Sequence, residues 1–144
     1  MKGRGMKTPK EQDDERDAAL RAKVTAARRA AGMPNPYETV TPIKKRDGGI
    51  TISADDRIIY QDAVIGRMIG NTGITVSTIN SHAFDQAAER NVTVDNLLSV
   101  FKNTGVIYPE ASYNGDLTRK VYAKDSGFGI IVGVKTGKIK TILN

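Results

Sequence analysis

A single histidine, His82, and no cysteine stand in a chain of 144 residues, so imidazole chemistry has one source and thiolate chemistry has none. His82 lies between Ser81 and Asp85 without continuous apolar surroundings, where an imidazole stays within reach of solvent and exchanges a proton near neutral pH. A plain surface histidine beside a helix cap fits those neighbours as well. Gln86 and Glu89 follow one and two helical turns later, and Glu89 suits a surface ion pair better than a dyad with His82. Further along, residues 118 to 124 alternate as a strand does. Arg119, Val121 and Ala123 face one way, and Lys120, Tyr122 and Lys124 face the other. A Lys-Tyr-Lys stripe offers two charges for phosphates and a ring for a base. It equally describes an edge strand kept soluble by lysines. Lys135, Lys138 and Lys140 add charge near the C-terminal end, with Thr141 on the face opposite Lys138 and Lys140.

Together these residues suit phosphodiester cleavage. Such a reaction in RNA needs an acceptor for the 2′-hydroxyl proton, a donor for the leaving 5′-oxygen, and fixed cations or hydroxyls around the phosphate. His82, Arg119 and Thr141 can supply these, and Lys120 or Tyr122 can replace one of them from the opposite strand face. There is no HExxH or DxDxDG spacing, so neither a metal site nor a cofactor is expected. The absence of cysteine removes disulfides and Cys-based zinc sites and leaves the redox compartment open.

The net charge of +6 favours an acidic partner such as nucleic acid. Residues 1 to 49 hold 12 basic against 7 acidic side chains, whereas residues 106 to 144 hold 6 against 3. Most of the excess therefore lies ahead of the candidate site. No apolar run approaches the roughly 20 residues that cross a bilayer, so stable membrane insertion is not expected.

The elements that must position these groups follow from periodicity. Residues 1 to 10 read as a mobile basic tail, and residues 11 to 31 as a helix with acids early and bases late. Pro34, Pro36 and Pro42, then the basic cluster Lys44, Lys45 and Arg46, mark a linker reaching residue 49. Residues 50 to 73 read as an uncertain helical connector, with a mixed helical pattern from Asp55 to Ile69. Ser81 is a candidate cap for a helix running to about Arg90 that ends at Asn91. Thr93 caps a second helix running to about Lys102. After Gly105 the period turns toward two, with strands near Val106, from Arg119 to Lys124, from Phe128 to Lys135, and from Lys138 to Leu143. Thr136-Gly137 suits a tight hairpin, and the apolar run after Phe128 suits a strand buried on both faces. The expected class is α+β: two short helices followed by a twisted antiparallel sheet of about four strands, over residues 74 to 144, behind a helical, partly mobile N-terminal extension.

The order of these pieces carries a resemblance. Ser81-His82-Ala83, then Glu89-Arg90-Asn91-Val92-Thr93, then Arg119-Lys120-Val121-Tyr122, Gly129-Ile130-Ile131-Val132 and Gly137-Lys138-Ile139-Lys140-Thr141 follow one another. That order resembles the C-terminal toxin domains of the barnase, EndoU, colicin and RelE-like superfamily, found in contact-dependent growth inhibition effectors and other polymorphic bacterial toxins. Asn91 stands where glycine is common in that family. The resemblance implies a metal-independent endoribonuclease, often directed at transfer RNA, that leaves a 2′,3′-cyclic phosphate. It implies His82 as general acid or base, Arg119 as phosphate-binding cation, and Tyr122 and Thr141 as hydroxyl contributors; the strand pattern itself offers Lys120, Lys124, Lys135, Lys138 and Lys140 to hold RNA. It implies as well a dedicated acidic immunity protein, and a toxin secreted or surface-delivered by one cell and acting in the cytoplasm of a target bacterium. Two other classes fit the same residues: a non-catalytic nucleic-acid-binding module of a phage or mobile-element protein, and an interaction domain that docks a partner through the helix at residues 11 to 31.

Overall fold

The computed structural model describes residues 7 to 144, which fall into two compact units that meet between Asn35 and Pro36 in the chain. The expected basic tail lies partly outside the described residues. Its last part is ordered, because Thr8 caps α1 (Pro9–Ala31): its hydroxyl accepts the Glu11 N–H while the Glu11 carboxylate accepts the Thr8 N–H. The bond from the Thr8 N–H, with that of its side chain, holds the Glu11 carboxyl below the usual range. Gly32 closes the helix in the left-handed conformation at φ 67°.

The second unit begins at Pro36, well ahead of the expected start near residue 74. The segment read as a linker is structural. Tyr37 is fully buried, and the Pro36 and Tyr37 carbonyls accept the N–H groups of Val94 and Asp95 at a helix start that would otherwise leave them unpaired. β1 (Pro42–Lys44) and β2 (Ile50–Ile52) then form an antiparallel hairpin around Asp47-Gly48-Gly49. α2 (Ala54–Val64), capped by Ser53, stops five residues before Ile69. The chain turns at Gly66 and doubles back, pairing Gly66, Arg67 and Ile69 with Val76 and Ile74 through main-chain bonds, so Ile69, Ile74 and Val76 are buried from a loop.

β3 (Thr78–Ile79) leads into α3 (Ser81–Arg90). Asn80, not Ser81, is its cap, because the Asn80 side chain accepts the His82 N–H. Asn91 ends the helix at φ 56°, a conformation asparagine tolerates, and Thr93 opens α4 (Val94–Lys102). Phe84 packs edge-on against Tyr60, whose hydroxyl donates to the Val92 carbonyl at 2.7 Å.

The remaining strands are β4 (Thr104–Ile107), β5 (Ala111–Tyr113), β6 (Asp116–Ala123), β7 (Gly129–Gly133) and β8 (Lys138–Leu143). With β3 they make a mixed six-stranded sheet in the order β3-β8-β7-β6-β4, with β5 also paired to β6. The four-strand antiparallel expectation is thus too small, and one edge differs in kind: β3 pairs parallel to β8, Thr78 with Lys138 and Ile79 with Ile139. β7 is buried along its whole length. Among the described residues no helix is long and apolar enough to cross a membrane.

Candidate active site

Strand alternation decides which side chains meet. Val121 pairs with Ile130, and Ile130 with Ile142; all three are fully buried on one face of the sheet. Lys120, Ile131 and Thr141, each one residue removed, form a row across β6, β7 and β8 on the other face. In the next row Tyr122 pairs with Gly129. Its ring lies where a Gly129 side chain would be, since a Cβ there would stand 2.6 Å from Tyr122 Cδ1. On the far side of β6, β5 pairs Ala111 with Thr118 and Tyr113 with Asp116. Residues 108 to 113 therefore rise as a wall, pinned where the Tyr108 N–H donates to the Lys120 carbonyl at 2.8 Å. Between this wall and Thr118, Lys120 and Ile131 lies a cleft of about 500 Å³, within the range of small-molecule sites.

Polar and aromatic groups converge there. The Tyr113 hydroxyl lies 3.4 Å from Thr141 Oγ1, linking β5 to β8 across two strands. Lys120 Nζ stands 5.8 Å from the centre of the Tyr108 ring, and that ring meets Tyr122 edge-on at 6.0 Å. Glu110 adds a carboxylate to the cleft wall, held loosely by Arg119 Nη2 at 3.9 Å. Nearby, Lys140 pairs with Asp116, and that hydrogen bond and charge keep the Asp116 carboxyl below the usual range. The cleft thus combines one cation, one carboxylate and several hydroxyls on a partly apolar floor.

Of the four residues expected to act together, the structure brings two to this face. Tyr122 and Thr141 share it with Lys120. Arg119 alternates to the opposite face, where its register partner is Val132, and reaches Glu110 at the margin. His82 stands exposed on α3. Its Nε2 is 3.1 Å from Gln86 Nε2, and Gln86 Oε1 accepts the buried Ile142 N–H at 3.0 Å. That second bond leaves the Gln86 amide only a donor for His82, so the neutral ring carries its proton on Nδ1. Arg90 Nη1 donates to the Ile142 carbonyl at 2.6 Å, and α3 thereby serves the edge of β8 where the two-residue β3 has ended.

The lysines divide as well. Lys124 and Lys135 are exposed beyond the strand ends, Lys138 opens β8 beside Thr78, and Lys140 is engaged with Asp116 at a bulge in the β7 to β8 register. Lys120 is the lysine of the set that lines the cleft. Sequence reasoning misses Tyr108, Glu110 and Tyr113. The available signal is the density of tyrosines around the strand at residues 118 to 124, but nothing local says that residues 108 to 113 fold back over it.

Among the described residues no group of three or more acidic or histidine side chains is placed to hold a metal ion. No family model, curated protein or solved structure matches the chain.

Proposed function

We propose that the unit from Pro36 onward is a metal-independent endoribonuclease that works in the cleft over Lys120 and Ile131, as a growth-inhibiting toxin acting on transfer RNA and restrained by an acidic immunity protein. The observation that carries this reading is the single row Lys120–Ile131–Thr141 with the Tyr113 hydroxyl at 3.4 Å from Thr141, walled by residues 108 to 113. It supplies a cation for a phosphate and, beside it, a hydroxyl, held in place by Thr141, for the leaving oxygen. The motif order resembling the barnase, EndoU, colicin and RelE-like superfamily supports the same reading.

In this scheme the scissile phosphate rests on Lys120. The 2′-oxygen bonds to phosphorus as the bond from phosphorus to the 5′-oxygen breaks, leaving a 2′,3′-cyclic phosphate and a free 5′-hydroxyl. Glu110 takes the 2′-hydroxyl proton, and the Tyr113 hydroxyl gives one to the departing 5′-oxygen. Lys120 holds the charge that gathers on the phosphate oxygens, and Thr141, buried beneath the cleft, positions the Tyr113 hydroxyl. His82 acts from outside the cleft, through Gln86, on the β8 main chain.

The test is incubation with total transfer RNA in EDTA, reading fragments and their ends. Discrete fragments ending in cyclic phosphate are expected, with Lys120→Ala slowing their formation by about 10²-fold or more and His82→Ala by far less. Intact RNA together with a salt-dependent gel shift would overturn the enzyme and leave the non-catalytic binding module. Loss of cleavage in His82→Ala with full activity in Lys120→Ala would overturn the placement of the site.

A further inference from the structure

Tyr108 has a geometry that the cleavage scheme does not use. It is 46% exposed, yet it is not loose. Its main chain is bonded to Lys120, Tyr122 meets its ring edge-on, and Pro109 follows it in the cleft wall. A ring fixed by its backbone and one neighbour, with much of its surface open beside a lysine ammonium, is organised to receive a flat partner without first being ordered.

We propose that Tyr108 is the platform of a nucleobase subsite, and that through it the cleft selects RNA bases that are unstacked on at least one face over bases inside a duplex. The inference rests on the ribonuclease reading for the nature of the ligand, and on Tyr108 and Lys120 for its place. Lys120 stands 5.8 Å from the ring centre, so one nucleotide can lay its base on Tyr108 while its phosphate reaches the ammonium. Inside a helix both faces of a base are covered by its neighbours, so no face remains for the tyrosine. The cleft itself, at about 500 Å³ and bounded by the wall of residues 108 to 113, holds a nucleotide or two. Stacking uses a face that every base possesses, so the subsite discriminates by strandedness more than by base identity.

The test uses a 2′-fluoro oligonucleotide, which cannot cleave itself, carrying one 2-aminopurine. It is titrated with the full chain as a single strand and annealed to its complement, with fluorescence and affinity read together. The single strand is expected to bind with quenching, and the duplex at least about tenfold more weakly. Tyr108→Ala and Tyr108→Leu should each weaken single-strand binding by about tenfold, whereas Tyr108→Phe, which keeps the ring, should stay within about twofold. The leucine variant retains apolar bulk against Tyr122, and circular dichroism shows whether each variant is folded. Equal binding of single strand and duplex, unchanged affinity in a folded Tyr108→Leu, or a Tyr108→Phe loss as large as that of Tyr108→Ala each overturns the subsite. Binding with the expected pattern but no cleavage of the matching ribo-oligonucleotide overturns the enzyme alone. Cleavage with affinity indifferent to Tyr108 overturns the subsite alone.

Discussion

Gln86 Oε1 accepts the main-chain N–H of Ile142 at 3.0 Å, so a side chain on α3 completes hydrogen bonding that no neighbouring strand provides. The same amide holds His82 through its nitrogen. One glutamine thus joins the chain's single imidazole to the strand that carries Thr141, and its two ends have separable effects.

Gln86→Leu strands the buried Ile142 N–H and should cost about 1–3 kcal/mol of unfolding free energy in urea. Gln86→Glu keeps an acceptor for that N–H and turns the other oxygen toward His82, which then becomes the donor. The variant should therefore keep part of the stability that Gln86→Leu loses in the same urea melts. A loss as large as that of Gln86→Leu would sever the link between Gln86 and Ile142.

Gly129 has no room for a side chain, because a Cβ would meet Tyr122 Cδ1 at 2.6 Å and the Val121 carbonyl oxygen at 2.8 Å. Gly129→Ala should therefore displace the Tyr122 ring and destabilise the sheet by about 1–3 kcal/mol. Combining it with Tyr122→Ala removes one of the two clashes. The double variant should lose less stability than the sum of the singles, and strict additivity in denaturant melts would contradict the contact.

Tyr113 and Thr141 should act as a pair on RNA. If Thr141 holds the Tyr113 hydroxyl in place for the leaving oxygen, Tyr113→Phe and Thr141→Val will each lower the cleavage rate, and the double variant will lower it by less than the product of the two effects. Independent effects would mean that the hydroxyls 3.4 Å apart serve different groups.

The hairpin at β1 and β2 is tied to α3 by Lys45 Nζ and Asp85 Oδ2 at 2.8 Å. Burial works against the Asp85 charge, but hydrogen bonds from Lys45 and Thr51 together with the Lys45 charge outweigh it and hold the carboxyl below the usual range. The hydrogen bond to Asp85 raises Lys45. A lowered carboxyl stabilises the fold above about pH 3.9, the unfolded value, and loses that contribution as the pH falls through its folded value. A raised lysine stabilises below about pH 10.4 and loses its contribution as the pH rises through its folded value. Lys45→Met should lower the melting temperature at neutral pH, and the gap from the parent should close in strong acid. A gap of the same size at both pH values would show that packing, not the ion pair, is lost.

Much of this fold is legible in residue spacing, for identifiable reasons. Phe84, Ala87 and Ala88, then Leu97 and Leu98, recur at helical intervals around a left-handed Asn91, so α3 and α4 are local signals. The apolar β7 is equally local, although it ends at Gly133 and reaches β8 through residues 134–137 rather than through Thr136-Gly137 alone. β3 is not, since Thr78-Ile79 has meaning only against Lys138-Ile139. Nor is the role of Tyr37, buried by contacts with a helix far along the chain. The candidate site divides the same way. Alternation along one strand puts Lys120 and Tyr122 on one face and Arg119 on the other, whereas the meeting of Tyr113 with Thr141 depends on the fold-back of β5 and the register of two intervening strands.

The parallel seam between β3 and β8 also sets a timetable. Every other pairing in the large sheet joins β4 through β8, within a short stretch of chain, whereas Thr78 and Ile79 wait for Lys138 and Ile139. Gly137, in the turn just before β8, approaches Thr75 so closely that a Cβ would lie 2.1 Å from its carbonyl oxygen, so the approach to the seam requires glycine there. Long loops are costly to close before their contacts repay them. The meander β4 to β8 should accordingly assemble early and the seam late. Ile79→Ala would then speed unfolding while leaving the refolding rate nearly unchanged.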